Sequence, residues 1–155
     1  MNKPNKISEL AIAILIPLAV GSISALLSRN MALYSSLSKP AFSPPAFLFP
    51  LVWTILYILM GISSYLIYSS DSDQKSDALK TYALQLFFNF CWSIIFFRFS
   101  LYLPALIWLV ILILLIIKMI RQFYLINPTA AYLQIPYLLW CLFAAYLNFS
   151  IYTMN

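Results

Sequence analysis

The sequence predicts an all-α membrane protein, a five-transmembrane-helix bundle with a proline-rich loop between helices 1 and 2. Of the 155 residues, 64% are hydrophobic and only 8% are charged, whereas soluble domains carry about 25% charged residues. The mean hydropathy is +0.93. The apolar residues form five runs, each near the ~20 residues that a helix needs to cross the hydrocarbon core. Because lipid cannot satisfy backbone polar groups, each run is expected to be helical.

The five runs place the helices in one domain that covers residues 1–155. The predicted helices span residues 8–27, 46–68, 78–97, 102–120 and 129–152. Lys3 and Lys6 precede the first run, but its length and the lack of a following small-residue cleavage site predict a retained helix rather than a signal peptide. Asn127 followed by Pro128 predicts the start of the fifth helix, because Asn caps helices and Pro fits their first turn.

The connector between the first two helices, residues 28–45, is the longest. Its prolines are Pro40, Pro44 and Pro45. Proline fixes φ and biases the preceding residue towards extended backbone, which predicts a stiff segment. Because this segment also carries Tyr34 and Phe42, we predict that it folds over the helix ends as a lid. The next connector, residues 69–77, is polar and predicts a solvated loop.

Basic residues near the helix ends predict the orientation in the membrane. On the N-terminal side lie Lys3, Lys6, Lys75, Lys80, Lys118 and Arg121, and on the opposite side lie Arg29, Lys39 and Arg98. This bias predicts a cytoplasmic N-terminus. The basic residues are scattered singly rather than clustered on one face, so the net charge of +5 does not indicate nucleic-acid binding. The composition and the lack of a transit-peptide pattern favour a bacterial cell membrane over a mitochondrial one.

Several kinds of chemistry are disfavoured by the residues that are missing. The chain has no histidine, and its four acidic residues are Glu9, Asp71, Asp73 and Asp77. None of them lies in the middle of a span, which disfavours an ion-coupled transporter. Cys91 and Cys141 lie in apolar runs and are expected to be reduced and inert. We therefore predict no metal site, no disulfide and no conventional hydrolytic enzyme.

The predicted spans do carry polar and aromatic side chains at helical spacing. Gln85, Asn89, Trp92 and Phe96 share one face of the third helix. Such a face forms either hydrogen bonds between helices or the wall of a pocket. The i, i+4 spacing recurs in the second helix, with Trp53 and Tyr57, and in the fifth, with Trp140 and Ala144. A small residue beside a Trp leaves room for a neighbouring helix or a flat ligand. Gly21 and Ala25 in the first helix permit close helix approach.

Four motifs in order resemble the TspO/MBR family, the tryptophan-rich sensory proteins related to the mitochondrial translocator protein or peripheral benzodiazepine receptor. They are YSSLSKPAFSPP at 34–45, FPLVWTILYILMG at 49–61, QLFFNFCWSIIFF at 85–97 and PYLLWCLFAAYLN at 136–148. The resemblance implies a five-helix bundle, a homodimer, and a ligand cavity that the first loop closes. It also implies binding of porphyrins, such as protoporphyrin IX, and of benzodiazepine-type ligands.

The resemblance assigns the residues of this site. The implied ligand-binding residues are Tyr34, Pro44, Pro45, Trp53, Tyr57, Asn89, Trp92, Trp140 and Ala144. Some bacterial relatives degrade protoporphyrin IX in light, a reaction tied to tryptophans that match Trp53 and Trp140. Three functions therefore stay open: a membrane sensor that binds tetrapyrroles, a light-dependent porphyrin-degrading enzyme, and a passive transporter of porphyrins or other lipophilic metabolites.

Two departures from the family pattern bear on the ligand. The W-x-P-P signature of the family reads Phe42-Ser43-Pro44-Pro45 here, which keeps an aromatic ring but loses the indole N–H. The sterol motif needs a basic residue shortly after a Tyr, and neither Tyr146 nor Tyr152 has one, so we do not expect sterol binding through that motif. Without histidine the chain lacks the commonest axial ligand of haem iron, which favours a metal-free porphyrin as ligand and no tightly bound cofactor.

Overall fold

The computed structural model describes residues 5–28 and 31–155, which are mostly helical and contain no strand. The helices are α1 (Lys6–Leu27), α2 (Met31–Ser36), α3 (Leu48–Tyr68), α4 (Lys75–Ser93), α5 (Tyr102–Ile126), α6 (Pro128–Leu133) and α7 (Ile135–Met154). One π-helical turn, Ile94–Arg98, continues α4. The prediction of an all-α protein is confirmed. Two of the basic residues used to predict the orientation, Lys3 and Arg29, lie outside the described residues.

Four described segments are long and apolar enough to cross a membrane, namely α1, α3, α5 and the α6–α7 segment Pro128–Met154. Together they make the chain a multi-pass membrane protein. The helix α4 is not among them, because Lys75, Asp77 and Lys80 lie in its first two turns and the amides of Gln85 and Asn89 lie further along. It nonetheless packs inside the bundle, against α1, α3 and α5.

Glycines allow α1 and α3 to pack closely. A Cβ atom at Gly61 of α3 would collide with the backbone of Ile14 in α1, and one at Gly21 of α1 would collide with the ring of Tyr57 in α3. The contact at Gly61 is backbone against backbone, which no side-chain rotation relieves. The face of α5 that packs against α4, α6 and α7 is fully apolar. Its most buried residues are Ala105, Leu109, Leu112, Ile116, Met119 and Phe123.

The third predicted helix begins earlier than expected, at Lys75, within the connector that was predicted to be a loop, and three larger differences follow. The fourth predicted helix continues to Ile126. The fifth is interrupted at Gln134, because Pro136 has no N–H to donate and its ring crowds the carbonyl one turn earlier. Asn127 caps α6 as expected, since its side-chain Oδ1 accepts from the backbone N–H groups of Thr129 at 3.0 Å and Ala130 at 3.3 Å. The short helix α2 lies inside the first connector and was not predicted.

The segment between α2 and α3, residues 37–47, contains the rest of the first connector; it is irregular, and hydrogen bonds fix its start. The side chain of Asn155 exchanges two hydrogen bonds with the backbone of Ser38, accepting from its N–H at 3.1 Å and donating to its carbonyl at 2.9 Å. The Lys39 Nζ donates to the carbonyl of Tyr34 at 2.7 Å and lies 4.5 Å from the centre of the Tyr34 ring. These contacts hold the connector against the ends of α2 and α7.

Candidate functional site

A cavity of about 320 Å³ lies between α1, α3, α4 and α7. This volume falls at the lower end of the range of small-molecule sites, about 300–1,000 Å³. The lining residues are Leu18, Gly21, Ser22, Ala25 and Ser28 from α1 and its end, Phe49, Pro50, Trp53, Thr54 and Tyr57 from α3, Trp92, Ser93 and Phe97 from α4 and the π-helical turn, and Trp140 and Ala144 from α7. Three of the four tryptophans of the chain therefore face one cavity.

Six of the fifteen residues that line the cavity are aromatic. The rings of Trp53 and Tyr57 are stacked, with centroids 5.5 Å apart, because the i, i+4 spacing puts them on one face of α3. The ring of Phe49 meets Trp140 edge to face at 5.9 Å. Ala144 lies one turn after Trp140 in α7, and its small side chain leaves the space beside the indole open. The cavity thus offers flat apolar surfaces at fixed angles to one another.

A chain of buried hydrogen bonds lies behind the aromatic wall. The Tyr57 hydroxyl donates to Asn89 Oδ1 at 2.8 Å, and Asn89 Nδ2 donates to the Tyr137 hydroxyl at 2.9 Å. The Tyr137 hydroxyl donates in turn to Gln85 Oε1 at 2.7 Å. All four side chains are buried, and buried polar groups are costly unless paired. Gln85 and Asn89 therefore join α4 to α3 and α7, which is the helix–helix role that their spacing left open.

A second pair of hydrogen bonds fixes Trp92. Its Nε1 donates to Asn148 Oδ1 at 3.1 Å, and Asn148 Nδ2 donates to the carbonyl of Tyr102 at 2.8 Å. The indole is also stacked on Phe96 at 5.4 Å. Because the only donor of the indole is used inside the protein, Trp92 presents its ring rather than a hydrogen bond to the cavity.

The first connector supports the cavity from outside. Tyr34 is buried against Phe49 at 5.2 Å and Phe97 at 6.4 Å, and both of these rings line the cavity. The Tyr34 hydroxyl donates to the carbonyl of Pro44 at 3.3 Å. Burial raises the pKa of Tyr34, so this hydroxyl remains a neutral donor. The connector therefore packs behind two of the lining residues rather than forming the wall itself.

The structure brings together some of the sequence-predicted site residues and not others. Trp53, Tyr57, Trp92, Trp140 and Ala144 line the cavity. Asn89 lies behind Tyr57, whereas Tyr34, Pro44 and Pro45 do not reach the cavity, because the connector covers Phe49 and Phe97. That these residues bind a ligand stays a prediction.

Sequence reasoning missed the wall that α1 provides. Gly21 and Ala25 were interpreted only as a close contact between helices, but small side chains also leave volume beside the aromatic residues of a neighbour. Of the lining residues, Ser22 and Ala25 on α1 and Pro50 and Thr54 on α3 are exposed. The cavity therefore opens to the side between these two helices.

Comparison with known proteins gives consistent matches along the chain. The model of the TspO/MBR family matches residues 13–154. The Tryptophan-rich protein TspO of Chlorobaculum tepidum is 36% identical over 159 aligned residues, covering 100% of this chain and 99% of the relative. The Tryptophan-rich sensory protein of Cereibacter sphaeroides is 34% identical, covering 79% and 76%. The Translocator protein of Sus scrofa is 33% identical, covering 91% and 86%.

Proposed function

The chain belongs to the TspO/MBR family, and on that premise we propose that it binds tetrapyrroles, above all protoporphyrin IX, in the cavity between α1, α3, α4 and α7. The observation that carries the proposal is the meeting of Trp53, Trp92 and Trp140 around one cavity. Aromatic faces suit a flat aromatic macrocycle, because offset and edge-to-face ring contacts add to the burial of apolar area. The same surfaces suit the benzodiazepine-type ligands that the family resemblance implies.

The shape of the cavity supports edge-on binding. A whole porphyrin does not fit inside a closed cavity of about 320 Å³. This cavity, however, opens between α1 and α3. The macrocycle inserts one edge between the rings of Trp53 and Trp140 and leaves the other edge at the mouth. In this pose it contacts both aromatic walls without displacing Tyr57, which the hydrogen bond to Asn89 holds in place.

The membrane arrangement is part of the proposal. We infer that α4 crosses the membrane as the third of five spans, because its 19 residues reach about 28 Å at 1.5 Å per residue. Its polar residues Gln85 and Asn89 are buried, whereas Leu84 and Phe87 point outward. The count of basic residues predicts that the N-terminus lies in the cytoplasm and the first connector on the opposite side. From the sequence and the family we also infer that the protein lies in a bacterial cell membrane and that it forms a homodimer.

The test is a titration of detergent-purified protein with protoporphyrin IX in the dark, followed by quenching of tryptophan fluorescence. We expect saturable binding that Trp140→Phe weakens. Trp108→Phe is the matched control, because Trp108 lies outside the cavity and its Nε1 donates to the carbonyl of Phe88 at 2.8 Å. Linear quenching that neither substitution changes would mean partition into detergent and would overturn the proposal.

A photochemical activity is the second candidate, because the two indoles of Trp53 and Trp140 both face the proposed ligand. The reaction needs light and oxygen. Loss of porphyrin absorbance under illumination in air is expected in the wild type and not in the double variant Trp53→Phe, Trp140→Phe. Degradation at the wild-type rate in the double variant would refute this role while leaving binding intact.

Sensing and transport differ in whether the protein moves the ligand across the membrane. Relatives of this chain are named both Tryptophan-rich sensory protein and Translocator protein. A passive transporter accelerates porphyrin entry into sealed vesicles, whereas a sensor binds without accelerating it. We propose sensing as the primary role, and accelerated flux that Ala144→Phe blocks would instead favour transport.

A further inference from the structure

We propose that the end of the cavity beside the C-terminus of α1 contains an anion subsite, formed by Ser28 and Arg98, that takes a carboxylate of the bound ligand. The inference rests on the proposed function, since it concerns the orientation of the ligand within the same cavity. It predicts that the protein selects aromatic acids over their uncharged esters. It also assigns roles to two residues that neither the sequence motifs nor the aromatic wall include.

Ser28 carries an unused hydroxyl at the cavity wall. It follows the last residue of α1 and is only 6% exposed. Its Oγ is buried and has no hydrogen-bond partner within residues 5–28 and 31–155. By contrast, the hydroxyl of Ser24, one turn earlier, donates to the carbonyl of Phe90 at 2.9 Å. Because a buried hydroxyl without a partner is costly, Ser28 is suited to donate to a polar atom that a ligand supplies.

The Arg98 side chain reaches the end of α1, where it is hydrogen bonded to the residue before Ser28, and its other donors have no partner within the described residues. Arg98 ends the π-helical turn after α4, and its Nη1 donates to the carbonyl of Leu27 at 3.3 Å, one residue before Ser28. A guanidinium has five N–H donors, and this is the one hydrogen bond that Arg98 makes in the described part of the chain. Phe97, the neighbour of Arg98, lines the cavity together with Ser28.

No carboxylate of the described chain neutralises Arg98. The single ion pair found in residues 5–28 and 31–155 joins Lys80 to Asp77 at 3.8 Å. Glu9 lies in the first turn of α1, at the opposite end of that helix from Ser28, and the other acids lie in or next to the connector between α3 and α4. Lys39 lies in the first connector, but its ammonium is already held by the carbonyl and the ring of Tyr34.

These features fit an aromatic carboxylic acid that enters edge-on. The apolar macrocycle contacts Trp53 and Trp140, and the carboxylate lies at the end of the cavity that Ser28 lines, towards the exposed Arg98. The planar guanidinium forms parallel hydrogen bonds to both carboxylate oxygens, which an ammonium cannot do. The Ser28 hydroxyl donates to one of these oxygens from inside the cavity. The ligand class is therefore a tetrapyrrole that keeps free carboxylates on one edge.

The experiment compares protoporphyrin IX with its dimethyl ester in the dark, at one fixed detergent concentration. The ester lacks the charges of the diacid and adds one methyl group at each acid, and the fixed detergent concentration keeps its partition into micelles the same for every variant. In the wild type we expect the diacid to bind about tenfold more tightly, the effect of one charge-assisted hydrogen bond that is partly exposed. Arg98→Gln is expected to remove most of this preference by weakening the diacid alone. Ser28→Ala is expected to reduce it by about threefold.

Two further variants separate the subsite from general effects of charge and folding. Arg121→Gln makes the same charge change on α5, away from the cavity, and is expected to leave both affinities unchanged. Arg98→Lys keeps the charge but loses the planar fork, and is expected to retain part of the preference. Thermal unfolding of each variant shows whether the hydrogen bond from Arg98 to Leu27 also stabilises the fold.

The outcomes separate this inference from the proposed function. Equal affinity of the wild type for diacid and ester would overturn the subsite while leaving the cavity as the binding site. An equal loss for both ligands in Arg98→Gln would mean that Arg98 only positions the end of α1, and would also overturn it. Failure of both ligands to bind the wild type would contradict the proposed function itself.

Discussion

Asn89 links the polar network to the aromatic wall, and replacing it with Leu is a sharp test of how the site is held. Leu has the same branching and the same number of side-chain heavy atoms as Asn, so it leaves no cavity behind. The substitution removes the hydrogen bonds to the Tyr57 and Tyr137 hydroxyls, at 2.8 Å and 2.9 Å. Tyr137 still donates to Gln85, whereas Tyr57 loses its acceptor. The side chain that forms one wall of the cavity is then no longer fixed.

The expected loss of stability follows from these contacts. Hydrogen bonds between membrane helices contribute about 0.6 kcal/mol each and at most about 1.7 kcal/mol. A buried hydroxyl without a partner adds a cost of about 1–3 kcal/mol. We therefore expect Asn89→Leu to lower the free energy of unfolding by about 2–4 kcal/mol. At about 2–4 °C per kcal/mol for a chain of this size, Tm falls by roughly 5–15 °C.

The assay is thermal unfolding of the purified protein in one detergent, followed by circular dichroism. Ser150→Ala is the matched control, because its half-buried side chain donates only to the carbonyl of Tyr146 within α7, at 2.9 Å. We expect this control to stay within about 0.5 kcal/mol of the wild type. If Asn89→Leu unfolds at the same temperature as Ser150→Ala, the polar network does not hold the three helices together, and the reasoning is refuted.

Two further substitutions test the helix contact and the cavity. Gly61→Ala is expected to force α1 away from α3 and to lower Tm, since its Cβ would collide with the backbone of Ile14. An unchanged Tm would contradict the close approach of the two helices. Ala144→Phe is expected to fill the space beside Trp140 and reduce protoporphyrin affinity at least tenfold, or about 1.4 kcal/mol, with little change in Tm. Ala11→Phe, on the exposed face of α1, is its control, and equal affinity in both variants would place the ligand elsewhere.

Composition and periodicity were sufficient for the fold class and for much of the aromatic wall. A membrane leaves helices as the simplest solution for long apolar runs. The i, i+4 spacing in Trp53 and Tyr57, and in Trp140 and Ala144, fixes which side chains share a helix face. The structure places all four at the cavity. Local spacing was enough here because each pair lies within one turn of a single helix.

Contacts between distant segments could not be predicted from composition and periodicity. Periodicity shows that Asn89 and Trp92 lie on the same face of a helix, but not that Tyr57 stands between Asn89 and the cavity, or that Asn89 also bonds Tyr137. The wall from α1 was missed for a related reason. A small residue such as Gly21 can serve close packing between helices or form part of a cavity wall beside an aromatic ring, and the sequence does not distinguish the two.

The central claim is that a tetrapyrrole binds between the tryptophans of the cavity, and the most direct test is an experimental structure of the protein with protoporphyrin IX. The account predicts the macrocycle between Trp53 and Trp140, with a carboxylate at Arg98. The most informative alternative is the apolar groove between α3 and α7, lined on its outer side by Ile55 and Leu139. A porphyrin found only in that groove, with the cavity empty, would contradict the account.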